Sequence, residues 1–295
     1  MINYRPKLTN ELIAEIKEMI SQNPDWNRTR ISKALCEKWQ WKGANNQLKD
    51  ISCRDMLRDL EQKGEIILPK RMMTSRSAGV RLKVKHLIHD MDEICCSLED
   101  LMPLNIEIVT SGGNLAEYKS LIDQYHYLGF DRTIGENIKY EVRSRNGRIL
   151  ACLLFGSAAW ACEDRDEYIG WDRETRKSML PYLTNNTRFL ILPWVKVPDL
   201  ASHILGHVSR RISRDWVNKY GHELYCLETF VECGRFLGTC YKAANWQWVG
   251  RTKGRGRNDI HTRAALPQKD IYLYPLDKKF KQKLTNRKEQ TDYND

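Results

Sequence analysis

The chain has 295 residues, a net charge of +10, 41% hydrophobic residues and 29% charged residues. This composition is typical of a globular protein of about two domains, and it excludes a disordered chain or a small fold held by disulfides. No apolar run of about 18 residues and no signal-peptide pattern are present, so we expect a cytoplasmic protein without a membrane partner. The basic excess favours a polyanionic partner such as DNA or RNA.

Residues 1–70 are predicted to form a small domain of three helices and a strand. The second helix begins near Asn27, and the third has the sequence ISCRDMLRDLEQK. The third helix is predicted to bury four apolar side chains: Ile51, Met56, Leu57 and Leu60. Gly64 ends this helix, and EIILP follows as a short strand. This order of elements predicts a winged-helix-like domain.

Three basic residues of the third predicted helix are candidates for DNA contact. Arg54 and Arg58 lie one turn apart, and Lys63 lies near the end of the helix. In a winged-helix domain such side chains enter the major groove. Acidic residues on the same helix leave an alternative open, in which the domain is a helical interaction module with a basic face.

Residues 71–103 are predicted to be a connector with a short helix from His86 to Leu98. Between 104 and 277, strands and helices alternate, which predicts an α/β (α+β) domain with a mixed sheet. Its hairpin turns at Asn146-Gly147, a dipeptide suited to a type I′ turn. An irregular charged stretch, the strand RFLILPWVKV, a long amphipathic helix and the strand LYCLETFVE follow. Residues 278–295 are predicted to be a basic C-terminal tail.

Several segments of the chain resemble one known family. They are HYLGF, RDEYIGW, RFLILPWVKVPDLASHIL, LETFVE, GTCYKAANW and VGRTKGRGR. Together they resemble the family of the Druantia anti-phage defence protein DruA, which includes transposase-associated relatives. The resemblance covers roughly residues 1–276. It implies phage defence or mobile-element biology, with other proteins of such systems as partners.

The order of elements in the second domain is similar to that of GNAT acetyltransferases. A strand, a long helix, a strand, a helix bearing Tyr241 and a closing strand follow one another. The resemblance implies an acyl-CoA site at a glycine-rich turn before the long helix and a tyrosine acting as an acid. Here the turn from Pro198 to Ser202 has no glycine, and Asp199 would repel a phosphate, so acetyl-CoA is not expected. Two interpretations of Tyr241 are open: it corresponds to the tyrosine that acts as an acid in that superfamily, or it packs in the core.

Glu228 and Glu232 are candidate catalytic residues. They lie four residues apart on a predicted strand and therefore project from one face. Two such carboxylates could bind Mg²⁺ for phosphodiester cleavage or act as acid and base, which would make the protein a nuclease or transposase. In the alternative interpretation, Glu228 pairs with a sheet neighbour such as Arg188 and Glu232 is simply exposed.

His126, at the end of a predicted helix, is a further catalytic candidate. It could act as a general base that titrates near neutrality. A helix C-terminus also favours a charged histidine for purely electrostatic reasons. Zinc is not expected, because the nine cysteines include no Cys-x-x-Cys pair and no third ligand accompanies the two histidines His203 and His207.

Aromatic, amide and basic residues near the end of the second domain predict a nucleic-acid-binding surface. The candidates are Trp171, Arg188, Asn245, Trp246, Arg251, Lys253, Arg255 and Arg257. Aromatic faces stack on bases, arginine and lysine neutralise phosphates, and the glycines of GRTKGRGR allow the backbone to approach a phosphate. In the alternative interpretation, the tryptophans are core residues and the basic run is a solvated loop.

Three functions follow from these patterns. The first is a DNA-binding and DNA-processing protein of a phage-defence or transposition system. The second is an acyl-CoA-dependent acyltransferase, which the missing glycine turn argues against. The third is a non-catalytic DNA-binding subunit that recruits a helicase or another partner.

Overall fold

The computed structural model describes residues 6, 8–43, 46–70, 84–254 and 266–285. The chain divides into two compact units, Met1–Val80 and Arg81–Asp295, each with its own hydrophobic core. The division falls inside the stretch that we predicted to be a connector. No helix in the described part of the chain is long and apolar enough to cross a membrane.

The smaller unit contains the helices α1 (Asn10–Gln22), α2 (Arg28–Lys38) and α3 (Asp50–Gln62). Thr9 and Asn27 cap the first two helices by accepting hydrogen bonds from backbone N–H groups. All three helices contribute to the core, together with the segment that follows α3. The core includes Ile16, Ile31, Leu35, Cys53, Met56, Leu57, Leu60, Ile66 and Leu68.

Two of the predictions for this unit are wrong. Ile51 is 65% exposed, because the buried face of α3 begins at Cys53. The segment EIILP forms no strand with any described residue. Its alternating apolar residues, Ile66 and Leu68, pack onto the helices instead of entering a sheet. A short antiparallel bridge lies between α2 and α3, where Lys42 faces Leu48, so the winged-helix arrangement is not confirmed.

The larger unit is built around a seven-stranded sheet, which confirms the predicted mixed sheet. Its strands are β1 (Asn105–Ile108), β2 (Ile138–Arg143), β3 (Ile149–Ser157), β4 (Leu183–Ile191), β5 (Cys226–Glu232), β6 (Gln247–Arg251) and β7 (Lys269–Pro275). The order across the sheet is β1-β2-β3-β4-β5-β7-β6. Only β4 and β5 run parallel to each other.

Helices cover both faces of this sheet. They are α4 (Leu98–Leu101), α5 (Gly112–Tyr125), α6 (Glu163–Ile169), α7 (Arg173–Met179), α8 (Leu200–Tyr220), α9 (Thr239–Ala243) and α10 (Phe280–Thr285). The Tyr140 hydroxyl of β2 donates to Asp215 of α8 at 2.8 Å. Arg143 of the same strand binds Glu117 of α5 at 3.1 Å. Since these two strand residues point to opposite faces, α5 and α8 lie on opposite sides of the sheet.

The strands β4 and β5 pair over a short length and then separate. Their register contains only Leu183 with Cys226, Thr184 with Leu227, and Asn185 with Glu228. We call this paired part the closed end, and the unpaired remainder, 186–191 of β4 and 229–232 of β5, the open end.

The segment before α4 corrects a further prediction. No helix spans His86 to Leu98, since the described residues from 84 onward are irregular until Ser97 caps α4. Ile94 forms a parallel bridge with Val195, and the His89 ring stacks on Trp194 with centroids 5.3 Å apart. The bridge to the segment after β4 bonds the backbone N–H and carbonyl of Ile94, which a helix would have bonded internally.

Three local predictions also need correction. The stretch predicted to be irregular contains α6 and α7. The start of the predicted basic tail forms α10, in which Phe280 and Leu284 are buried, while 286–295 lie outside the described residues. In the hairpin, Gly147 has a positive φ of 82° but Asn146 does not, so the turn is not of type I′.

Candidate functional site

At the closed end, Glu228 belongs to a buried network of ion pairs. Its Oε2 accepts a hydrogen bond from Arg165 Nη1 at 2.7 Å, and its Oε1 accepts one from the backbone N–H of Ala159 at 2.6 Å. Arg165 is completely buried and also donates from Nε to Asp166 at 2.7 Å. Arg176 donates to the other oxygen of Asp166 at 2.7 Å. Two carboxylates and two guanidinium groups thus balance one another in the protein interior.

This network does not fit the predicted Mg²⁺ site. Both oxygens of Glu228 already accept hydrogen bonds, and Glu232 lies about 13 Å further along the strand at the usual rise per residue. A magnesium site needs oxygen ligands that converge on one point. Among the described residues, no group of three His, Cys, Asp or Glu side chains could hold a metal ion. The pairing partner of Glu228 is Arg165 and not Arg188.

The open end brings together side chains that are distant in the sequence. Glu232, at the end of β5, accepts a hydrogen bond from Arg235 Nε at 3.1 Å. The Arg235 guanidinium lies 4.7 Å from the centre of the Tyr127 ring. The His126 ring lies 4.8 Å from the same tyrosine, at an interplanar angle of 31°. Phe236 contacts Tyr127 at a ring distance of 5.4 Å. We call these five residues the open-end cluster.

His126 is a neutral member of this cluster. Its burial and the positive charge of Arg188 lower the pKa of His126 to about 4. Its Nδ1 accepts a hydrogen bond from the backbone N–H of Leu128 at 3.2 Å. Arg188 itself donates to the carbonyl oxygens of Gly129 and Thr187, at 3.0 and 2.8 Å. This environment argues against a charged His126 near neutral pH, and a role of the neutral ring as a base stays a prediction.

Tyr241 fills the space where β4 and β5 separate. Its hydroxyl donates to Asn186 Oδ1 at 2.7 Å and lies 3.4 Å from Thr229 Oγ1. Its ring contacts Trp246 and Tyr272 at 5.1 and 6.0 Å. Burial raises the pKa of Tyr241 above its ordinary value. This environment supports the packing interpretation of Tyr241.

The start of α8 does not fit the pyrophosphate of acyl-CoA. Asp199 occupies the N-cap position with a left-handed φ of 58°, and no side chain caps the helix. A phosphate at this helix N-terminus would meet a carboxylate instead of a glycine-rich turn. Asp199 thus adopts a left-handed backbone conformation that is more common for glycine.

The predicted stacking surface is in large part core. Trp171 is buried, and its Nε1 donates to the carbonyl of Leu284 at 2.8 Å. Trp246 is buried beside Tyr241. Asn245 follows α9 and is exposed, with a positive φ of 63°. The two tryptophans are therefore core residues and cannot stack on a base from their present positions, whereas a role of Asn245 stays a prediction.

The basic residues near β6 lie on the surface next to acidic partners. Arg251 pairs with Asp270 at 2.8 Å, and Lys253 pairs with Glu163. Arg255 and Arg257 lie outside the described residues. Both described side chains are about half exposed, so they contact solvent as well as their partners.

The structure explains the glycine at position 250 by a contact with a side chain of the protein, whereas we predicted an approach of the backbone to a phosphate. A Cβ at this position would lie 2.0 Å from Asp164 Oδ2. That carboxylate accepts a hydrogen bond from the backbone N–H of Arg251 at 2.8 Å. The glycine permits the approach of a protein carboxylate to the strand, and not of a phosphate.

The basic residues of α3 also have acidic neighbours. Arg54 pairs with Asp50 at 3.0 Å, and Arg58 pairs with Asp55 one turn earlier on the same helix. Lys63 is exposed at the end of the helix. Arg54 and Arg58 are partly exposed, so all three predicted residues lie at the surface, two of them on α3 and the third just after its end.

Sequence reasoning missed Arg165, Arg235 and Phe236. Arg165 belongs to the segment RDEYIGW, which pointed to this region without showing its partner. Arg235 and Phe236 follow the end of β5 and contact Tyr127, which lies just after α5. Only the fold shows that these side chains meet, because no local spacing relates α5 to β5.

The order of elements defines the class of the larger unit. β4, the long helix α8, β5, the tyrosine-bearing α9 and the closing strands follow one another as in the acetyltransferase superfamily that the sequence resembles. The larger unit is therefore a GNAT-like mixed α/β domain. Two features of this domain differ from those expected of an acyl-CoA site: the turn at the start of α8 and the buried contacts of Tyr241.

A model of the family "Druantia protein DruA" matches residues 53–266, well over half of the chain. The chain belongs to this family. No curated protein matches the chain.

Solved structures with a similar fold include two of N-acetyltransferases. Spermidine/spermine N-acetyltransferase SpeG from Vibrio cholerae is 10% identical, with 63% of this chain and 97% of that chain covered and a TM-score of 0.38. Spermidine N-acetyltransferase from Vibrio cholerae, in complex with CoA and spermine, is 8% identical, with 59% and 95% covered and a TM-score of 0.40. At these TM-scores we base no conclusion about activity on the matches.

Proposed function

We propose that this chain is a DNA-binding protein of a phage-defence system. It binds the phosphate backbone through the basic side chains of α3 and through those at the end of β6. Membership of the Druantia protein DruA family supports the defence role. The exposure of three cations, Arg54 and Arg58 on α3 and Lys63 just after its end, is the observation that carries the DNA-binding role.

The distribution of charge supports the smaller unit as a DNA-contacting part. Residues 1–80 contain 15 Lys and Arg against 10 Asp and Glu, so about a quarter of the chain carries half of the net charge of +10. Basic side chains in such a unit release counterions from DNA when they neutralise phosphates. The binding is then strong at low salt and weak at high salt.

The ion pairs around these residues do not oppose the proposal. Arg54, Arg58, Arg251 and Lys253 are paired at the surface, where a pair contributes about 0–1 kcal/mol. A DNA phosphate can therefore replace the carboxylate partner at little cost. Arg165 differs, because its complete burial removes it from any phosphate.

The buried pairing of Glu228 favours a binding role over Mg²⁺-dependent cleavage by this residue. Within the proposal, strand cleavage or unwinding is the task of another protein of the same system, which this chain recruits to DNA. Glu232→Ala and Glu228→Gln variants that fold should then keep the affinity for duplex DNA.

The experiment is fluorescence anisotropy of a labelled DNA duplex titrated with the protein at several salt concentrations. We expect the double variant Arg54→Gln/Arg58→Gln to bind more weakly and to show a salt slope lower by about 1 for each lost phosphate contact. Lys196→Gln is the matched control, because Lys196 is also an exposed cation paired with a glutamate.

Strand scission is followed in the same samples with and without Mg²⁺. Equal affinity and equal salt slope in the wild type, the double variant and Lys196→Gln would contradict the role of α3. Mg²⁺-dependent scission that is lost in Glu232→Ala would show that the chain itself cleaves DNA.

A further inference from the structure

The open-end cluster places flat groups in contact with one another at the protein surface. The His126 ring is tilted against Tyr127, which is 37% exposed, and the Arg235 guanidinium is stacked over the tyrosine ring, 4.7 Å from its centre. Glu232 binds Arg235 through Nε, which fixes the guanidinium group over the ring. The stack is thus arranged before any ligand arrives.

The outer groups of this stack are exposed without an apolar cover among the described residues. Phe236 is 48% exposed, and Leu237 next to it is 79% exposed. The Arg235 side chain is half exposed. A ligand that covers these apolar and aromatic side chains lowers the free energy, because it removes apolar surface from water.

We infer that the open-end cluster binds an unpaired nucleobase of single-stranded DNA, which stacks on Arg235 and Phe236. This inference rests on the proposed function, because it assigns a second contact to a DNA-binding protein. A base has the flat aromatic face that fits a guanidinium–tyrosine stack. Its attached phosphate has the charge that complements Arg235.

The environment of the cluster agrees with a base as the ligand. Arg188 and Arg235 make the site basic, while the only described carboxylate in the cluster, Glu232, is paired with Arg235. The inner ring, His126, is neutral because its pKa is lowered to about 4. The site therefore combines an uncharged aromatic interior with a positive rim. The predicted stacking residues Trp171 and Trp246 are buried, so they do not compete for this role.

The test compares two labelled oligonucleotides of equal length and charge, oligo-dT and an oligonucleotide of abasic sites. We expect the wild-type chain to bind oligo-dT on the order of 10-fold more tightly, since stacking on a side chain contributes this much per base. Phe236→Ala and Arg235→Lys should lose most of this preference, because the lysine keeps the charge but has no flat face.

Ile88→Ala is the matched control, because Ile88 is a fully exposed apolar residue outside the cluster. Thermal unfolding of each variant shows whether it folds, and Arg235→Lys replaces only an exposed side chain. Equal binding of oligo-dT and abasic DNA by the wild type would overturn the inference. A preference that survives in both Phe236→Ala and Arg235→Lys would overturn it as well.

The same measurements distinguish failure of the proposed DNA binding from failure of the base site alone. Absence of salt-dependent binding to duplex, oligo-dT and abasic DNA alike would overturn both proposals. Duplex binding with a normal salt slope but no preference for oligo-dT would overturn only the base site.

Discussion

Glu228 and Glu232 lie on one face of one strand, yet their surroundings are opposite. Glu228, at the closed end, is completely buried and bonded to Arg165 and to a backbone N–H group. Glu232, at the open end, is partly exposed and bonded to the exposed Arg235. The alternation of a strand predicts that two residues share a face, but burial and partners decide what each carboxylate does.

The largest difference between the two ends is expected in stability. Glu228→Gln removes one charge of a buried pair and leaves the Arg165 guanidinium without its full compensation. We expect a loss of about 3–5 kcal/mol in the free energy of unfolding. Urea unfolding followed by tryptophan fluorescence measures it. A loss below about 1 kcal/mol would show that the closed end is not held by this pair.

The open end is expected to show the stronger pH dependence through His126. The folded chain protonates His126 only near pH 4, whereas the unfolded chain does so near pH 6.5. Between these values the unfolded state binds the extra proton, so stability falls as the pH is lowered from 6.5 to 4. We expect this residue to contribute roughly 2–3 kcal/mol to the fall.

Urea midpoints of the wild type and of His126→Gln at pH 7 and at pH 4.5 test this expectation. The variant should lose less stability than the wild type between the two values. An identical loss in both proteins would mean that His126 titrates alike in the folded and unfolded states.

Tyr241, between the two ends, should show an intermediate effect. Tyr241→Phe keeps the ring but leaves Asn186 Oδ1 buried without its donor. We expect a loss of about 1–2 kcal/mol, measured by urea unfolding. If the tyrosine acted as a catalytic acid instead, the substitution would abolish an activity while stability stayed unchanged.

The smallest effect is expected for Glu232→Gln. Its pair with Arg235 is at the surface, so we expect less than about 1 kcal/mol in the free energy of unfolding. Chemical denaturation of this variant beside Glu228→Gln makes the comparison direct. Equal losses in the two variants would contradict the distinction between the closed and the open end.

Local patterns predicted most elements of the larger unit. The apolar strand at 188–197, the amphipathic helix at 199–219 and the tyrosine-bearing segment correspond to β4, α8 and α9, with shifted boundaries. These elements have strong periodicity or clear end signals. The connector helix and the strand EIILP failed because contacts to distant residues, such as Val195, decide the conformation there.

The candidate site was less predictable than the fold. Residue types pointed to Glu228, Trp171 and Trp246, all of which the fold buries. Their partners come from other elements, so no spacing in the sequence could show that the side chains were already satisfied. The exposed cluster at Tyr127 and Phe236 was missed for the same reason, since α5 and β5 meet only in three dimensions.

The short pairing of β4 with β5 has a consequence for the order of folding. The strands β1 to β4 pair antiparallel with their neighbours in sequence, whereas the parallel contact joins Leu183 to Cys226 across the whole of α8. Closing such a long loop costs entropy before any contact repays it, so this pairing should form late. In pulse-labelled hydrogen exchange, we expect the amides between β2 and β3 to gain protection before those that join β4 to β5.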